Sequence, residues 1–154
     1  MPRYKLPRSK TPLVFLLLAA ALLAGCIGNQ STTLTGAEKD AVLAYSEPAA
    51  DRLFAAYNRG DYAAFIQDMD SKMTAAITRQ QFDTGMRGTI FSKLGNYQSR
   101  QIDQVVKTSA TVTVVYRARF EKDYPVLIRL SFDTGPAHKI SGLYFDSANL
   151  RKTS

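Results

Sequence analysis

The sequence has one cysteine and one histidine in 154 residues. A lone cysteine excludes an intramolecular disulfide and a cysteine-based metal site. The histidine, His138, follows Gly135 and Pro136 in a predicted turn, where a solvated side chain is the simplest interpretation. A phosphate-binding glycine-rich loop, a nucleophile elbow and zinc-ligand spacing are also missing. We therefore expect no metal and no cofactor.

Acidic residues are missing before Glu38, whereas basic residues are frequent near the start of the chain. An apolar run follows from Pro12 to Ala24 and leads through Gly25 into Cys26. A basic segment, an apolar run and then small residues follow one another in the order of a secretory signal. The run is shorter than the ~20 residues that span a bilayer. The ending Leu-Ala-Gly-Cys resembles the lipobox of prokaryotic lipoproteins, where the cysteine receives a diacylglyceryl group.

We therefore predict a lipoprotein signal peptide at residues 1–25 and lipidation of Cys26. The alternative is a cleaved signal, or an uncleaved anchor, with an incidental cysteine. Lipidation predicts an exported protein of the cell membrane or cell envelope, with its domain on the extracytoplasmic side. Residues 26–36 are small and polar after the cysteine, which predicts a flexible tether.

The charge balance changes when the signal is removed. The whole chain has a net charge of +7, but four of its cations precede Cys26, so residues 26–154 carry only +3. This value does not indicate nucleic acid as a partner. A mildly basic domain tethered to an anionic membrane is the more modest interpretation.

Helical patterns fill the chain from Thr35 to Gly95. Thr35 and Glu38 have the spacing of a capping box, and Thr78 and Gln81 have it again. Pro48 predicts a kink or a restart of the first helix, with Ser46 as a cap for the restarted part. Gly60 and Gly95 are predicted to end helices, and Asp61 and Asp70 are predicted to cap the helices that follow them.

Residues 97–146 alternate between apolar and polar side chains. The alternation predicts four strands joined by short turns: Tyr97–Lys107, Thr111–Phe120, Tyr124–Phe132 and Lys139–Asp146. Short connections require antiparallel neighbours. Helices followed by such a meander predict an α+β domain at residues 37–150, with the helices packed on one face of a curved four-stranded sheet. Residues 151–154 are expected to form a C-terminal tail.

Three segments carry a resemblance to a known family: Asn58–Phe65, Phe91–Tyr97 and Ile140–Phe145. The chain resembles the Domain of Unknown Function 3887 family of prokaryotic lipoproteins, within the nuclear transport factor 2-like (cystatin-like) superfamily. The resemblance covers about residues 38–150 and implies a cone-shaped fold with a pocket between sheet and helices. The superfamily includes enzymes and non-enzymatic binding domains, so the fold alone does not give the function.

Candidate site residues follow from this expectation. Asp103 is the best candidate general base if it points inward, with Tyr116 as a proton donor. Tyr116 and Tyr144 are expected to face inward from their strands. A ligand-binding set would draw on tyrosines and on arginines of the polar sheet face. Its candidates are Tyr62, Tyr97, Tyr116, Tyr144, Arg117 and Arg129. Each of these residues also has an ordinary structural role.

Three functions remain open at this stage. The leading one is a non-enzymatic, membrane-anchored domain that binds a small apolar ligand or a protein partner, and the sheet face also offers a homodimer surface. The second is an isomerase- or hydrolase-like enzyme that uses Asp103 with Tyr116 in one closed pocket. The third is an accessory subunit of an envelope complex, whose pocket is filled by its own side chains.

Overall fold

A computed structural model describes residues 30–152 of the chain. The predicted signal peptide and Cys26 lie outside these residues. The fold is α+β, with helices first and an antiparallel sheet after them, as predicted. The elements are β1 (Thr32–Thr33), α1 (Gly36–Arg59), α2 (Tyr62–Ile66), α3 (Ser71–Ala76), α4 (Arg79–Gln81), a π-helix (Phe82–Phe91), α5 (Ser92–Leu94), β2 (Tyr97–Lys107), β3 (Thr111–Phe120), β4 (Val126–Asp133), β5 (Ile140–Asp146) and α6 (Ala148–Arg151).

The sheet has five strands in the order β1-β2-β3-β4-β5, and every neighbouring pair is antiparallel. The prediction of four strands was wrong, because Thr32 and Thr33 pair with the end of β2 at Lys107 and Val106. Leu34 follows, and its amide donates to the Val105 carbonyl at 2.8 Å. The expected tether is therefore partly a sheet strand, and Leu34 is buried.

Helix α1 runs without interruption through Pro48, so the predicted restart and the cap by Ser46 were wrong. Ser46 is fully buried in the middle of the helix. Apolar residues on both sides of the proline, from Val42 to Leu53, pack in the core, and this packing outweighs the hydrogen bond that proline removes. Thr35 precedes the helix without making the expected side-chain cap.

Other helix signals act as predicted. Gly60 ends α1 with a left-handed φ of 68°. Asp61 and Asp70 accept from the amides of Ala64 and Met73, and so cap α2 and α3. Thr78 and Gln81 form their capping box. The helix that follows is a π-helix over ten residues, Phe82–Phe91.

The core lies between the helices and the inner face of the sheet. Alternation along β3 places Val114, Tyr116 and Ala118 on that inner face, where they are fully buried. Phe54 and Tyr57 of α1 pack towards the same interior, and both are almost fully buried. Within residues 30–152, no helix is long and apolar enough to span a bilayer. The predicted C-terminal tail starts too early, because Arg151 is the last residue of α6 and pairs with Asp146 at 2.7 Å.

Candidate functional site

A polar cluster occupies the interior between α1 and the sheet. The Arg100 guanidinium lies 2.9 Å from the Glu47 carboxylate and 2.7 Å from that of Asp51. The Tyr116 hydroxyl donates to the other Glu47 oxygen at 2.7 Å. Arg100 also donates to the Tyr97 hydroxyl at 3.1 Å. The side chain of Arg100 is only 8% exposed, so this cluster fills space that a ligand would need.

Burial keeps the tyrosine hydroxyls of this cluster protonated, and neighbouring charged side chains modify this effect. Burial, and next the hydrogen bond to Glu47, raise the pKa of Tyr116 far above its ordinary value. Burial also raises the pKa of Tyr97, against the opposing effect of Arg100. Tyr116 therefore remains a neutral hydrogen-bond donor near neutral pH. A phenol with a raised pKa and a committed acceptor is a structural group rather than a ready proton donor.

The predicted pair of Asp103 and Tyr116 is not brought together. Asp103 lies at an irregularity in the register of β2, and its carboxylate contacts Arg117 at 2.7 Å. Arg117 follows Tyr116 on β3, so the two side chains point to opposite faces of the sheet. Asp103 is on the outer face and Tyr116 is inside. The condition for Asp103 to act as a general base, an inward-facing carboxylate, is therefore not met.

The candidate ligand-binding tyrosines also lie apart from one another. The Tyr62 hydroxyl donates to the Ile77 carbonyl at 3.0 Å, and Tyr97 stacks on Phe54 with ring centroids 4.4 Å apart. Tyr144 is on the outer face and 53% exposed, because its neighbour Phe145 takes the inward position on β5. The expectation that Tyr144 faces inward was wrong. Arg117 and Arg129 do share the outer sheet face.

A cleft of about 380 Å³ opens at the end of the sheet where β1 enters. We call it the Tyr45–His138 cleft. One side of α1 contributes residues at helical spacing. Leu34 after β1, the ends of β2, β3 and β4, and the β4–β5 loop complete the wall. The residues are Leu34, Glu38, Ala41, Val42, Tyr45, Lys107, Val112, Asp133, Thr134 and His138. Its base is apolar and its rim carries charges of both signs.

Two aromatic rings form the centre of this wall. The Tyr45 and His138 rings stack with centroids 3.9 Å apart and planes 7° apart. The Phe132 ring contacts Tyr45 edge to face, with ring centroids 5.4 Å apart. The β4–β5 loop holds His138 in place through a bond from its amide to the Gly135 carbonyl and a left-handed φ of 43°. The stack is thus fixed by the helix, the core and the loop together.

One buried polar atom of a residue that lines the cleft has no hydrogen-bond partner among the described residues. His138 Nδ1 is buried and finds no hydrogen-bond partner among residues 30–152. Burial, followed by the negative charge of Asp133, raises the pKa of the Tyr45 hydroxyl. This part of the chain contains no cluster of three or more histidine or acidic side chains that is able to hold a metal ion. The arrangement suits an apolar group on Leu34, Val42 and Val112, with polar atoms at Tyr45 and His138.

Sequence reasoning missed this cleft. In the sequence, Tyr45 is one apolar position of a helix and His138 is a turn residue expected to be solvated. The structure instead leaves His138 half-buried against Tyr45. The only signal in the sequence was a histidine next to a Gly-Pro turn, which does not identify a partner on a distant helix.

Comparison with known proteins gives one match. No curated protein and no solved structure matches the chain. A family model described as "Protein of unknown function (DUF3887)" matches residues 50–143. The match spans more than half of the chain and includes part of α1, the helices from α2 to α5, strands β2 to β4 and the first part of β5. The chain therefore belongs to the DUF3887 family.

Proposed function

We propose that this protein is an exported, lipid-anchored, non-enzymatic binding domain that holds a small amphipathic ligand in the Tyr45–His138 cleft. The observation that carries the proposal is the combination of an apolar base with a buried, unpartnered His138 Nδ1. A buried polar atom without a partner is costly, and a ligand atom that bonds to it recovers part of that cost. The proposal includes the cystatin-like cone as the fold type.

The location of the cleft supports a ligand that is encountered near a membrane. Leu34 lines the cleft and is eight residues from Cys26. A chain of that length reaches no more than about 29 Å. If Cys26 carries the lipid, the cleft is held close to the bilayer surface, and the local concentration of membrane-derived ligands is raised.

The interior cluster favours binding over catalysis. An enzyme of the predicted kind needs a base and an acid around one closed pocket. Here Tyr116 is bonded to Glu47 inside the domain, while Asp103 pairs with Arg117 on the outer face. The cleft itself offers Tyr45, whose raised pKa keeps it protonated and suited to hydrogen bonding.

The test uses the full chain, extracted from membranes with its natural contents. Native mass spectrometry of this material measures bound mass. Ala41→Trp fills the cleft from an exposed position on α1. Ala44→Trp is the matched control, because Ala44 is also exposed on α1 and does not line the cleft. The proposal expects a bound small molecule that is lost from Ala41→Trp and kept by Ala44→Trp.

A second variant tests the polar contact. His138→Phe preserves an aromatic ring for stacking on Tyr45 but removes Nδ1. We expect it to lower ligand occupancy about tenfold, because one buried hydrogen bond is lost. Equal occupancy in the parent chain and in Ala41→Trp would place the ligand elsewhere and overturn the proposal for this cleft. The absence of bound mass from every sample would overturn it as well.

The anchor is tested separately. Metabolic labelling with an alkyne fatty acid should mark the parent chain, and Cys26→Ser should abolish the mark and release the protein from membranes. If Cys26→Ser still incorporated the fatty-acid label, lipidation at this cysteine would be contradicted. The cleft proposal would be unaffected, because it rests on the geometry of the cleft.

A further inference from the structure

The outer face of the sheet carries an arginine-rich strip. Arg117 and Arg119 alternate outward from β3, and Arg129 points outward from β4. Arg117 lies opposite Leu127, so Arg129 is its diagonal neighbour, at about 7–8 Å. Tyr144 lies opposite Arg129 on β5. Val115 completes the strip and is buried beneath these larger neighbours.

Two arginines in this strip stack on exposed tyrosines. The Arg119 guanidinium lies 4.1 Å from the centre of the Tyr124 ring, and that of Arg129 lies 5.5 Å from the Tyr144 ring. Within residues 30–152, these two tyrosines are the large hydrophobic side chains that are strongly exposed. The stacks hold the arginine side chains in place and so lower the entropy lost when they bind.

These two arginines form no salt bridge within the described residues, although the charge of Arg129, after the hydrogen bond and charge of Arg151, acts at longer range to lower the pKa of Asp146. Arg117 pairs with Asp103, and Asp146 pairs with Arg151. Within the described residues, neither Arg119 nor Arg129 has a carboxylate within salt-bridge distance. The strip thus presents two positive charges, each beside half-exposed aromatic surface. Arginine and tyrosine are among the residues that most often dominate binding energy at protein interfaces.

We infer that this strip of Arg119, Arg129, Tyr124 and Tyr144 is a docking surface for a protein partner that presents acidic side chains. Carboxylates accept two parallel hydrogen bonds from a guanidinium, and tyrosine supplies apolar contact beside them. The surface is on the opposite side of the sheet from the interior cluster and is separate from the Tyr45–His138 cleft.

A second copy of the chain fits this surface less well. In a two-fold dimer the same patch meets itself, so the two unpaired arginines of each copy would approach those of the other. The nearby acids cannot offset this repulsion freely, because Asp103 and Asp146 are already paired. Like charges brought together at an interface oppose binding.

A membrane surface also fits less well. Strand β3 begins at Thr111, at the same end of the sheet as β1. Arg119 is eight residues further along β3. At ~3.4 Å per residue this separation is about 27 Å. The stack of Arg119 on Tyr124 therefore lies at the end of the sheet remote from the entering chain. A partner reached from the aqueous side can contact both stacks at once.

The first experiment uses a defined acidic probe. The full chain in neutral detergent is titrated with a fluorescent oligoglutamate peptide and, separately, with phosphatidylglycerol vesicles. Arg119→Glu combined with Arg129→Glu should weaken peptide binding at least about tenfold, since charge-assisted bonds are lost. Lys39→Glu combined with Lys72→Glu is the matched control, because it makes the same charge change in the first turns of α1 and α3. Equal losses in both double variants would show a net-charge effect and overturn the inference.

The second experiment identifies what lies on the surface in its natural membrane. A photo-crosslinking residue replaces Tyr144 in the full chain. The inference expects a crosslink to an acidic segment of another protein, lost with Arg129→Glu and restored when the contacted acid of that protein is changed to lysine. Crosslinks to lipid would favour the membrane, and crosslinks to the same chain would favour a homodimer. Either result, or no crosslink, would overturn the inference.

Discussion

Glu47 is expected to contribute more to stability than Arg100, although the two are partners in one ion pair. Replacing Glu47 by alanine removes the acceptor of the fully buried Tyr116 hydroxyl. It also leaves the carboxylate of Asp51 as the negative partner of Arg100, and that side chain is 70% accessible and therefore screened by water. Replacing Arg100 by methionine leaves both Tyr116 and Glu47 with a partner or with water.

The magnitudes follow from burial. An unsatisfied buried hydroxyl costs ~1–3 kcal/mol, and a buried charge that loses its partner costs ~3–5 kcal/mol in fully dry sites. Because Asp51 remains near Arg100, we expect a total of about 3–4 kcal/mol for Glu47→Ala. Arg100→Met should cost about 1 kcal/mol, since Glu47 is 32% exposed and methionine replaces the packing of the arginine stem.

Urea unfolding of both variants measures these free energies. A third and a fourth variant, Tyr116→Phe and Tyr116→Phe combined with Glu47→Ala, complete a double-mutant cycle. The coupling between Tyr116 and Glu47 should be about 1–2 kcal/mol. If Arg100→Met were the more costly change, or if the cycle gave no coupling, the description of Glu47 as the centre of this cluster would be refuted.

Three further changes have expected outcomes. Alkaline pH should destabilise the fold, because burial raises the pKa of Tyr57 and Tyr116 above their ordinary 10.0. The contribution of these protonated tyrosines to the free energy of unfolding is complete below pH 10. Above pH 10 it declines by ~1.4 kcal/mol per pH unit for each tyrosine. Urea midpoints between about pH 9 and 11 measure this slope. Tyr116→Phe should lower the slope by the share of one tyrosine, about 1.4 kcal/mol per pH unit, while Tyr57, Tyr45 and Tyr97, whose pKa values burial also raises, keep the rest; an unchanged slope would contradict the assignment. Gly95→Ala should cost about 2 kcal/mol in urea unfolding, because φ is 74° and the new Cβ would lie 2.8 Å from Cβ of Glu121; a neutral effect would show that the backbone there relaxes freely. Thr78→Ala should cost ~1 kcal/mol through loss of the capping box, with Thr78→Ser as the control that retains it.

The sheet was predictable because its pattern is local. Polar and apolar residues alternate along β3, and only one register of that alternation buries Val114, Tyr116 and Ala118 together. Turn residues placed short connections between the strands, and short connections require neighbouring strands to be antiparallel. Tyr144 was placed on the wrong face because Leu143 and Phe145 on either side of it are also hydrophobic, and only packing decides which of these positions points inward.

Features that depend on distant partners were not predictable. Pro48 is a strong local signal, yet the buried face of α1 continues across it. Thr32 and Thr33 form a strand only because the edge of β2 is beside them. The stack of Tyr45 on His138 joins a helix to a loop that is far away in sequence. No periodicity in either segment indicates the other.

The short strand β1 also determines how the domain responds to mechanical force. Tension on the chain preceding Thr32, directed away from the end of the sheet, acts along β1 and loads its hydrogen bonds to β2 in shear. Bonds loaded in shear must yield together, whereas bonds at a peeled edge yield one after another. Leu34, buried behind this strand, must leave the core at the same step. A pull on the chain that precedes Thr32 is therefore carried by β1 before it reaches α1, because β1 comes first in the chain.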